Sequence, residues 1–396
     1  MATAATRTSR QAAMRFIVCL GFVSLFADMT YEGAYSIVGP FLKDLGATGA
    51  QVGLIAGVGE MIAASLRLVS GRLADKTRAY WTLAISGYLV NLLVVPALAF
   101  VGTWQAAALL IVAERTGKAL RGPSRDVLLS DATAEVGHGW GFGIHTAMDQ
   151  TGAVAGPILM AAMVMHKQHN FGPAFQYLGI PAALALGALL VAKAVYPNAG
   201  HPPATKVSQP IPRVFWMYVA AAGLLACGFV DFPLLGYHFE NKNLVAPETI
   251  PLLYAGAMAV NGATALLFGR LFDRYGVTVL VWGIAISLFS LPLGFLGGTF
   301  AIVIAVCCWG AGHGAQDATL RSGIAQVVSM NKRGSAFGYF NFVWGLMWLL
   351  GSATMGYFYG RSLVTLVAFG VVAQIAAAVM FLSLRARLAT AAAERA

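Results

Sequence analysis

Two acidic residues lie one helical turn apart in an apolar stretch near the start of the chain. Asp28 and Glu32 are four residues apart, with Tyr31 and Tyr35 beside them. Residues at that spacing share a helix face, and like charges there repel one another. One of the two carboxyl groups should therefore be able to take up a proton.

Basic residues crowd a second apolar stretch. Arg115 and Lys118 share one helical face, and Arg121 lies on an adjoining face. Such cations can stabilise a carboxylate or bind an anionic group of a ligand. The alternative is a static network of ion pairs that only fixes helix packing.

Further polar residues interrupt apolar stretches later in the chain. His313, Asp317 and Arg321 repeat every four residues, which predicts one shared helical face. Asp231 is followed by Phe232 and the helix breaker Pro233, a position expected in a cavity or at the outer mouth. The candidates for contact with a ligand are Tyr31, Tyr35, Lys118, Arg121, His145, Asp149, Asp231, His313, Gln316, Asp317, Arg321, Asn341 and Trp344.

Composition identifies the elements that must hold these residues. The chain of 396 residues is 58% hydrophobic and 11% charged, whereas a soluble domain carries about 25% charged residues. About 20 apolar residues cross a bilayer as one helix. We therefore predict an all-α membrane protein with twelve transmembrane helices. Their limits are residues 14–38, 49–71, 79–101, 104–128, 138–165, 171–195, 213–238, 248–270, 276–298, 300–326, 334–358 and 362–384.

The predicted helices form two groups of six, separated by a proline-rich polar segment. We expect an N-terminal six-helix bundle at 1–195, a cytoplasmic linker at 196–212 and a C-terminal six-helix bundle at 213–396. Six plus six spans also suggest an ancient duplication, which should leave repeated sequence in the two halves.

The basic residues predict the orientation in the membrane. With both termini on one side, most Lys and Arg fall on that side, and only Lys43, Lys167, Lys242 and Arg361 fall on the other. The positive-inside rule then makes both termini cytoplasmic. We expect a multi-pass protein of the cell membrane, which is the inner membrane if the source is Gram-negative.

Two sequence matches relate the halves. Gly71-Arg72-Leu73-Ala74-Asp75-Lys76 follows the second predicted helix, and Gly269-Arg270-Leu271-Phe272-Asp273-Arg274 follows the eighth. Gly141-Phe142-Gly143 and Gly156 likewise match Ala336-Phe337-Gly338 and Gly351. Because both matches are in register, they indicate two pseudo-symmetric halves.

The repeated string resembles the loop between helices 2 and 3 of the major facilitator superfamily, Gly-x-Leu-Ala-Asp-basic-x-Gly-basic-basic. The first copy departs from it at Arg78, Ala79 and Tyr80. We expect Asp75 at a helix start, where the helix dipole favours an acid. The resemblance implies two bundles that rock about a central site, and a cytoplasmic latch between them. The implied latch residues are Gly71, Asp75, Lys76, Gly269, Asp273 and Arg274.

Two further motifs resemble those of antiporters in this superfamily. Arg115 stands at the Arg of the helix 4 motif Arg-x-x-Gln-Gly, with Lys118 and Ala119 replacing its last two residues. The resemblance implies that Arg115 acts with an acid of helix 1, either Asp28 or Glu32, in exchanging a proton for substrate. In the fifth helix, Gly152, Gly156 and Pro157 are similar to the family's Gly-x-x-x-Gly-Pro.

The predicted function is secondary active transport, as proton-coupled export of a small organic compound. One alternative is a carrier of organic acids or phosphate esters, in which Arg115, Lys118, Arg121 and Arg321 attract the anion. A metal-ion importer and a non-transporting receptor are the others. No sequence motif for ATP hydrolysis or covalent catalysis occurs, so we expect no enzyme activity, cofactor or resident metal. The expected partners are a small-molecule substrate, protons and the lipid bilayer, and we expect no binding of nucleic acid. We expect the protein to be a monomer.

Overall fold

The chain folds into helices joined by short turns. The structure is a computed structural model, and it describes residues 2–197, 211–328 and 333–393, among which no strand occurs. The helices are α1 Ala2–Asp44, α2 Gly49–Thr77, α3 Tyr80–Ala97, α4 Trp104–Val136, α5 His138–His166, α6 Phe171–Ala174, α7 Gly179–Val195, α8 Arg213–Gly228, α9 Phe232–Asn241, α10 Thr249–Tyr275, α11 Thr278–Ser287, α12 Ser290–Leu296, α13 Thr299–Val327, α14 Arg333–Tyr359 and α15 Leu363–Ala393.

Every predicted span corresponds to a helix or to two helices in succession. Three spans are broken, namely α6 to α7 by a 3-10 turn at Phe175–Leu178, α8 to α9 beside Pro233, and α11 to α12. Several helices run past their predicted ends, as α4 does to Val136. The reason is that hydropathy registers the apolar part of a helix, whereas backbone hydrogen bonds continue through its polar ends.

Within the described part of the chain, nine helical stretches are long and apolar enough to cross a membrane. The helices outside that set are α4, α5 and α14. Helix α4 fails because Glu114, Arg115, Lys118 and Arg121 interrupt its middle. The chain is thus an all-helical, multi-pass membrane protein, while twelve crossings in two six-helix bundles stay a prediction.

The chain divides into two compact units. The first consists of Met1–Ile37 and Leu66–Ala204, and the second of Val38–Ser65 and Thr205–Ala396. Most of the predicted linker, at 198–210, lies outside the described residues, and the predicted domain limits remain a prediction.

The repeated glycines occupy equivalent packing positions in the two units. A Cβ atom added at Gly156 of α5 would lie 2.8 Å from the Cα of Met29 in α1. One added at Gly351 of α14 would lie 2.6 Å from the Cα of Cys227 in α8. In each unit, therefore, a helix can touch the first helix of its half only because a glycine stands there.

Asp75 is not at a helix start, as the sequence suggested. It lies in α2, which continues to Thr77 before α3 begins at Tyr80. Its carboxylate accepts a hydrogen bond of 3.4 Å from the Tyr80 hydroxyl. The dipole argument was wrong because the Gly-Arg-Leu-Ala-Asp string forms the last turns of the helix instead of a loop.

Candidate functional site

Asp28 is the centre of a polar cluster in the first unit. Its side chain is buried, with 4% of the residue exposed. Tyr31, one turn along α1, donates a hydrogen bond from its hydroxyl to Asp28 Oδ1. The local sequence explains the contact, since residues three apart meet on one face of a helix.

Helix α5 brings a second aspartate to this point. Asp149 interacts electrostatically with Asp28, and its Oδ1 is buried without a hydrogen-bond partner in the described structure. The glycine motif explains the approach, because a Cβ at Gly152 would lie 3.0 Å from that of Asp28 and would also strike the carbonyl of Leu25. Gly152 lies one turn beyond Asp149, so its close contact brings the two carboxyls together.

Two carboxyl groups that lie this close together repel one another when both are charged, so their approach favours a proton on one of them. The pairing of Asp28 with Asp149 is a candidate proton site, which sequence reasoning missed because the two residues are distant in the chain. The sequence had paired Asp28 with Glu32, which does act electrostatically on Asp28 and whose carboxylate also forms an ion pair of 3.6 Å with Lys118. A signal was available in the glycine motif, which predicts that α5 packs closely against another helix.

Helix α4 supplies the cations around the pair. Lys118 Nζ lies 3.8 Å from the centre of the Tyr31 ring as well as next to Glu32. Arg115 forms an ion pair of 3.3 Å with its neighbour Glu114 and lies 4.9 Å from the Tyr35 ring. The three residues of the predicted proton-coupling set thus each contact a different side chain. Asp28 contacts Tyr31, Glu32 contacts Lys118 and Arg115 contacts Glu114.

Arg121 is the most deeply buried of these cations, with 1% exposed. Its guanidinium carbon lies 4.3 Å from the centre of the Tyr88 ring and 5.4 Å from that of Tyr31. Its Nε has no hydrogen-bond partner in the described part of the chain, and neither has the Tyr88 hydroxyl.

Helices α3 and α5 complete the cluster. Asn91 of α3 donates a hydrogen bond of 2.7 Å to Glu114, and His145 of α5 hydrogen-bonds Ser24 of α1 at 2.9 Å. The sequence analysis singled out neither Asn91 nor Tyr88, although an Asn within an apolar span indicates a buried hydrogen bond.

The second unit contains a different buried aspartate. Asp231, 1% exposed, precedes α9 and accepts hydrogen bonds from Trp348 Nε1, at 2.8 Å, and from the Ser352 hydroxyl. It is buried, which does not fit the alternative of a solvated aspartate at an outer mouth. Neither Trp348 nor Ser352 was singled out from the sequence.

His313 and Asp317 meet as their spacing predicted, with 3.5 Å between His313 Nδ1 and a carboxylate oxygen. Asn261 of α10 contacts both, at 2.8 Å from His313 and 3.2 Å from Asp317. The Trp309 ring stacks on His313 at 5.3 Å. Gln316 is buried with its Oε1 unpartnered in the described structure, and Arg321 is exposed.

The remaining candidates lie at separate places. Asn341 and Trp344 are partly buried on α14, and Trp344 contacts Trp348 at 5.6 Å between ring centres. Pro157 is within α5. The proposed latch residues lie at the ends of α2 and α10, and their acidic and basic side chains are exposed. These residues are Gly71, Asp75, Lys76, Gly269, Asp273 and Arg274.

Sequence comparison relates the chain to transport proteins. The family model of the Major Facilitator Superfamily matches residues 19–352 and, in a second match, 231–395. An uncharacterized protein of Mycobacterium tuberculosis is 38% identical over 383 residues, covering 94% of this chain and 93% of its own. An uncharacterized MFS-type transporter of Methanocaldococcus jannaschii is 24% identical over 352 residues, covering 86% of this chain and 87% of its own.

Solved structures show the same fold. The nucleoside transporter NupG has a TM-score of 0.67 at 15% identity, covering 94% of this chain and 98% of its own. The peptide transporter POT in complex with sulfate has a TM-score of 0.73 at 13% identity, covering 95% of each chain. With the family model matching most of its length, the chain belongs to the Major Facilitator Superfamily.

Proposed function

We propose that this protein is a secondary transporter that couples the movement of a small organic compound to that of protons. The observation that carries the proposal is the close approach of the Asp28 and Asp149 carboxyl groups where α5 packs against α1. A buried carboxyl pair holds a proton, and it changes charge when that proton leaves. A change of charge inside the membrane alters which conformation and which ligand are favoured.

The proposed mechanism is alternating access by a monomer with two six-helix bundles and both termini in the cytoplasm. Proton binding at Asp28 and Asp149 reduces the negative charge beside Lys118 and Arg121. Since Tyr31 contacts Asp28 and lies next to both cations, it links the proton site to them. The protein requires neither ATP nor a cofactor in this scheme, because the proton gradient supplies the free energy.

Two modes of proton-coupled transport are candidates. Export in exchange for protons is favoured by the antiporter-like motif of Gly152, Gly156 and Pro157. Co-transport of an anion with protons is favoured by Arg121, which is buried with its Nε unpartnered in the described structure and whose charge is balanced at a distance by Asp28 and Asp149. Both forms need the same proton-binding pair.

The test uses purified protein in liposomes that contain a pH-sensitive dye. The added compounds are uridine, dialanine, benzoate, phenyl phosphate and benzylammonium, the first two chosen because structural relatives are named for nucleoside and peptide transport. We expect at least one compound to cause proton flux, and the sign of the flux to give the direction. Asp28→Asn and Asp149→Asn should each reduce that flux to the level of empty liposomes.

Asp44→Asn is the matched control, because Asp44 is an exposed aspartate at the end of the same helix as Asp28. It should retain the wild-type flux. Substrate movement that carries no protons, or that survives both pair substitutions with unchanged pH dependence, would reject proton coupling at this pair.

A further inference from the structure

The cations of α4 differ in whether the structure provides an anion for them. Arg115 lies beside Glu114, Lys118 beside Glu32, and Arg125 beside Asp126 at 2.9 Å. Arg121 lies against the Tyr31 and Tyr88 rings, its Nε has no hydrogen-bond partner in the described part of the chain, and the nearest acids acting on its charge are Asp28 and Asp149. Leaving a buried guanidinium unpaired is costly, so an uncompensated one indicates a binding function.

Two further hydrogen-bond donors surround Arg121 without partners. The Tyr88 hydroxyl belongs to the ring that lies 4.3 Å from the guanidinium, and it is buried and unpartnered in the described structure. The Ser124 hydroxyl is in the same condition, and Ser124 follows Arg121 by three residues, which places it on the same side of α4. Three unused donors around one positive charge match the chemistry of an oxyanion.

The charge of this region depends on the proton-binding pair. When Asp28 and Asp149 share one proton, the pair carries a negative charge that opposes Arg121. When both are protonated, that compensation is lost and Arg121 becomes free to bind an external anion. Proton binding and anion binding should therefore strengthen each other.

We infer that Arg121, with Tyr88 and Ser124, receives a carboxylate or phosphate group of the transported compound while Asp28 and Asp149 are protonated. This inference rests on the proposed transport function and specifies its substrate class. It identifies Arg121 as the binding cation in place of Arg115 and Lys118, which already have acidic partners. A proton and an anion bound together would move in the same direction.

The pH dependence involves every titratable group around this site. These are Asp28, Tyr31 and Glu32 of α1, Tyr88 of α3, Lys118 and Arg125 of α4, and His145 and Asp149 of α5. To separate the pair from the other groups, the binding experiment includes Asp149→Asn, which fixes this position in an uncharged form.

The experiment measures binding to detergent-purified protein at pH 5.5 and pH 8, by titration with benzoate and with phenyl phosphate. Benzamide and benzylammonium serve as neutral and cationic probes of similar shape. We expect an anion to bind more tightly at pH 5.5, and Asp149→Asn to weaken this difference. Arg121→Gln should reduce the affinity by roughly ten- to a hundredfold, the usual effect of losing a charge-assisted hydrogen bond.

Arg361→Gln is the matched control, because Arg361 is exposed and lies 3.9 Å from the ring of Tyr357. It should bind like the wild type. If Arg121→Gln fails to fold, Tyr88→Phe keeps the ring beside the guanidinium, removes the free hydroxyl and should weaken anion binding several-fold.

The outcomes separate this inference from the proposed function. Anion binding without any proton-coupled flux in liposomes supports the anion site and rejects the transport function. Proton-coupled flux that is unaffected by Arg121→Gln rejects the anion site and leaves the transport function standing. Equal binding of all four probes, tighter anion binding at pH 8, or no anion binding at either pH also rejects the inference, since the donors would then serve only water.

Discussion

Both compact units bury an aspartate against aromatic side chains, but they satisfy it differently. Asp231 receives one hydrogen bond from Trp348 and one from Ser352, so each carboxylate oxygen has a donor. Asp28 receives a hydrogen bond from Tyr31 and faces a second acid, Asp149. The donors around Asp231 stabilise its carboxylate in the charged form. The carboxyl of Asp28 faces that of Asp149, so the repulsion between them is relieved when one of the two carries a proton.

The comparison shows that burial of an acid does not by itself identify a proton site. Both residues lie in apolar sequence, and the insertion cost of a charge would be similar for each. The difference comes from the groups that face the carboxyl, which are N–H and O–H donors in one unit and another carboxyl in the other. We therefore expect Asp231 to contribute mainly to stability and Asp28 mainly to coupling.

The largest effect should come from adding side chains at the repeated glycines, where the two units are alike. Gly156→Val and Gly351→Val would each push a methyl-bearing side chain into the backbone of the first helix of its unit. Each should cost about 3 kcal/mol or more, because overpacking against a backbone has little room to relax. Thermal unfolding of purified protein measures this, with Gly187→Val, at a glycine with open space around it, as the control.

The next effect should distinguish the two aspartates. Asp231→Ala leaves Trp348 Nε1 and the Ser352 hydroxyl without their acceptor, which should reduce the free energy of unfolding by about 2–4 kcal/mol. Asp28→Asn should change stability by less than about 1 kcal/mol, because an amide can still accept from Tyr31 and donate to Asp149. Similar losses of stability for both variants would contradict the comparison.

Removing the Tyr31 hydroxyl should have a moderate effect that is specific to coupling. Tyr31→Phe keeps the ring beside Lys118 and Arg121 but removes the donor to Asp28. With one stabilising bond to the carboxylate gone, protonation becomes easier, so the pH dependence of proton-coupled flux should shift upward by about one pH unit. Tyr177→Phe, at a partly buried tyrosine of the same unit that lies near Lys167, should leave the profile where it is.

The smallest effect concerns Glu32, which the sequence paired with Asp28. Its ion pair with Lys118 is partly exposed, so Glu32→Gln should cost less than about 1 kcal/mol. Proton-coupled flux should persist in this variant and vanish in Asp149→Asn. Loss of flux in both would return Glu32 to the proton site and weaken the assignment to Asp149.

Much of the fold was predictable because hydropathy and helical periodicity are local properties. The predicted spans found every helix, and the Gly71 and Gly269 strings revealed the duplication. The helix breaker Pro233 indicated the break beside Asp231, but the breaks at Phe175–Leu178 and between α11 and α12 were not found, since a short break leaves the surrounding apolar run intact. The ends of helices such as α4 were misplaced because backbone hydrogen bonding continues through polar residues.

The site was only partly predictable. Spacing correctly indicated that His313 would meet Asp317, because both lie on one helix. Asn261 between them, and Asn91 beside Glu114, come from other helices and could not be paired from spacing. Partner choice across helices depends on their rotation and close approach, which a single sequence does not specify.

The sequence by itself indicated a membrane-spanning member of its superfamily with repeated strings in its two halves. Composition and repeats can be recognised in the chain without knowing which residues meet in space. The sequence also named nearly all the charged residues of the polar cluster. Only the tertiary structure decided their partners: Asp149 for Asp28, Lys118 for Glu32, and aromatic rings for Arg121. Those pairings follow from the close packing of α1, α3, α4 and α5, and the proposed proton site and anion site rest on them.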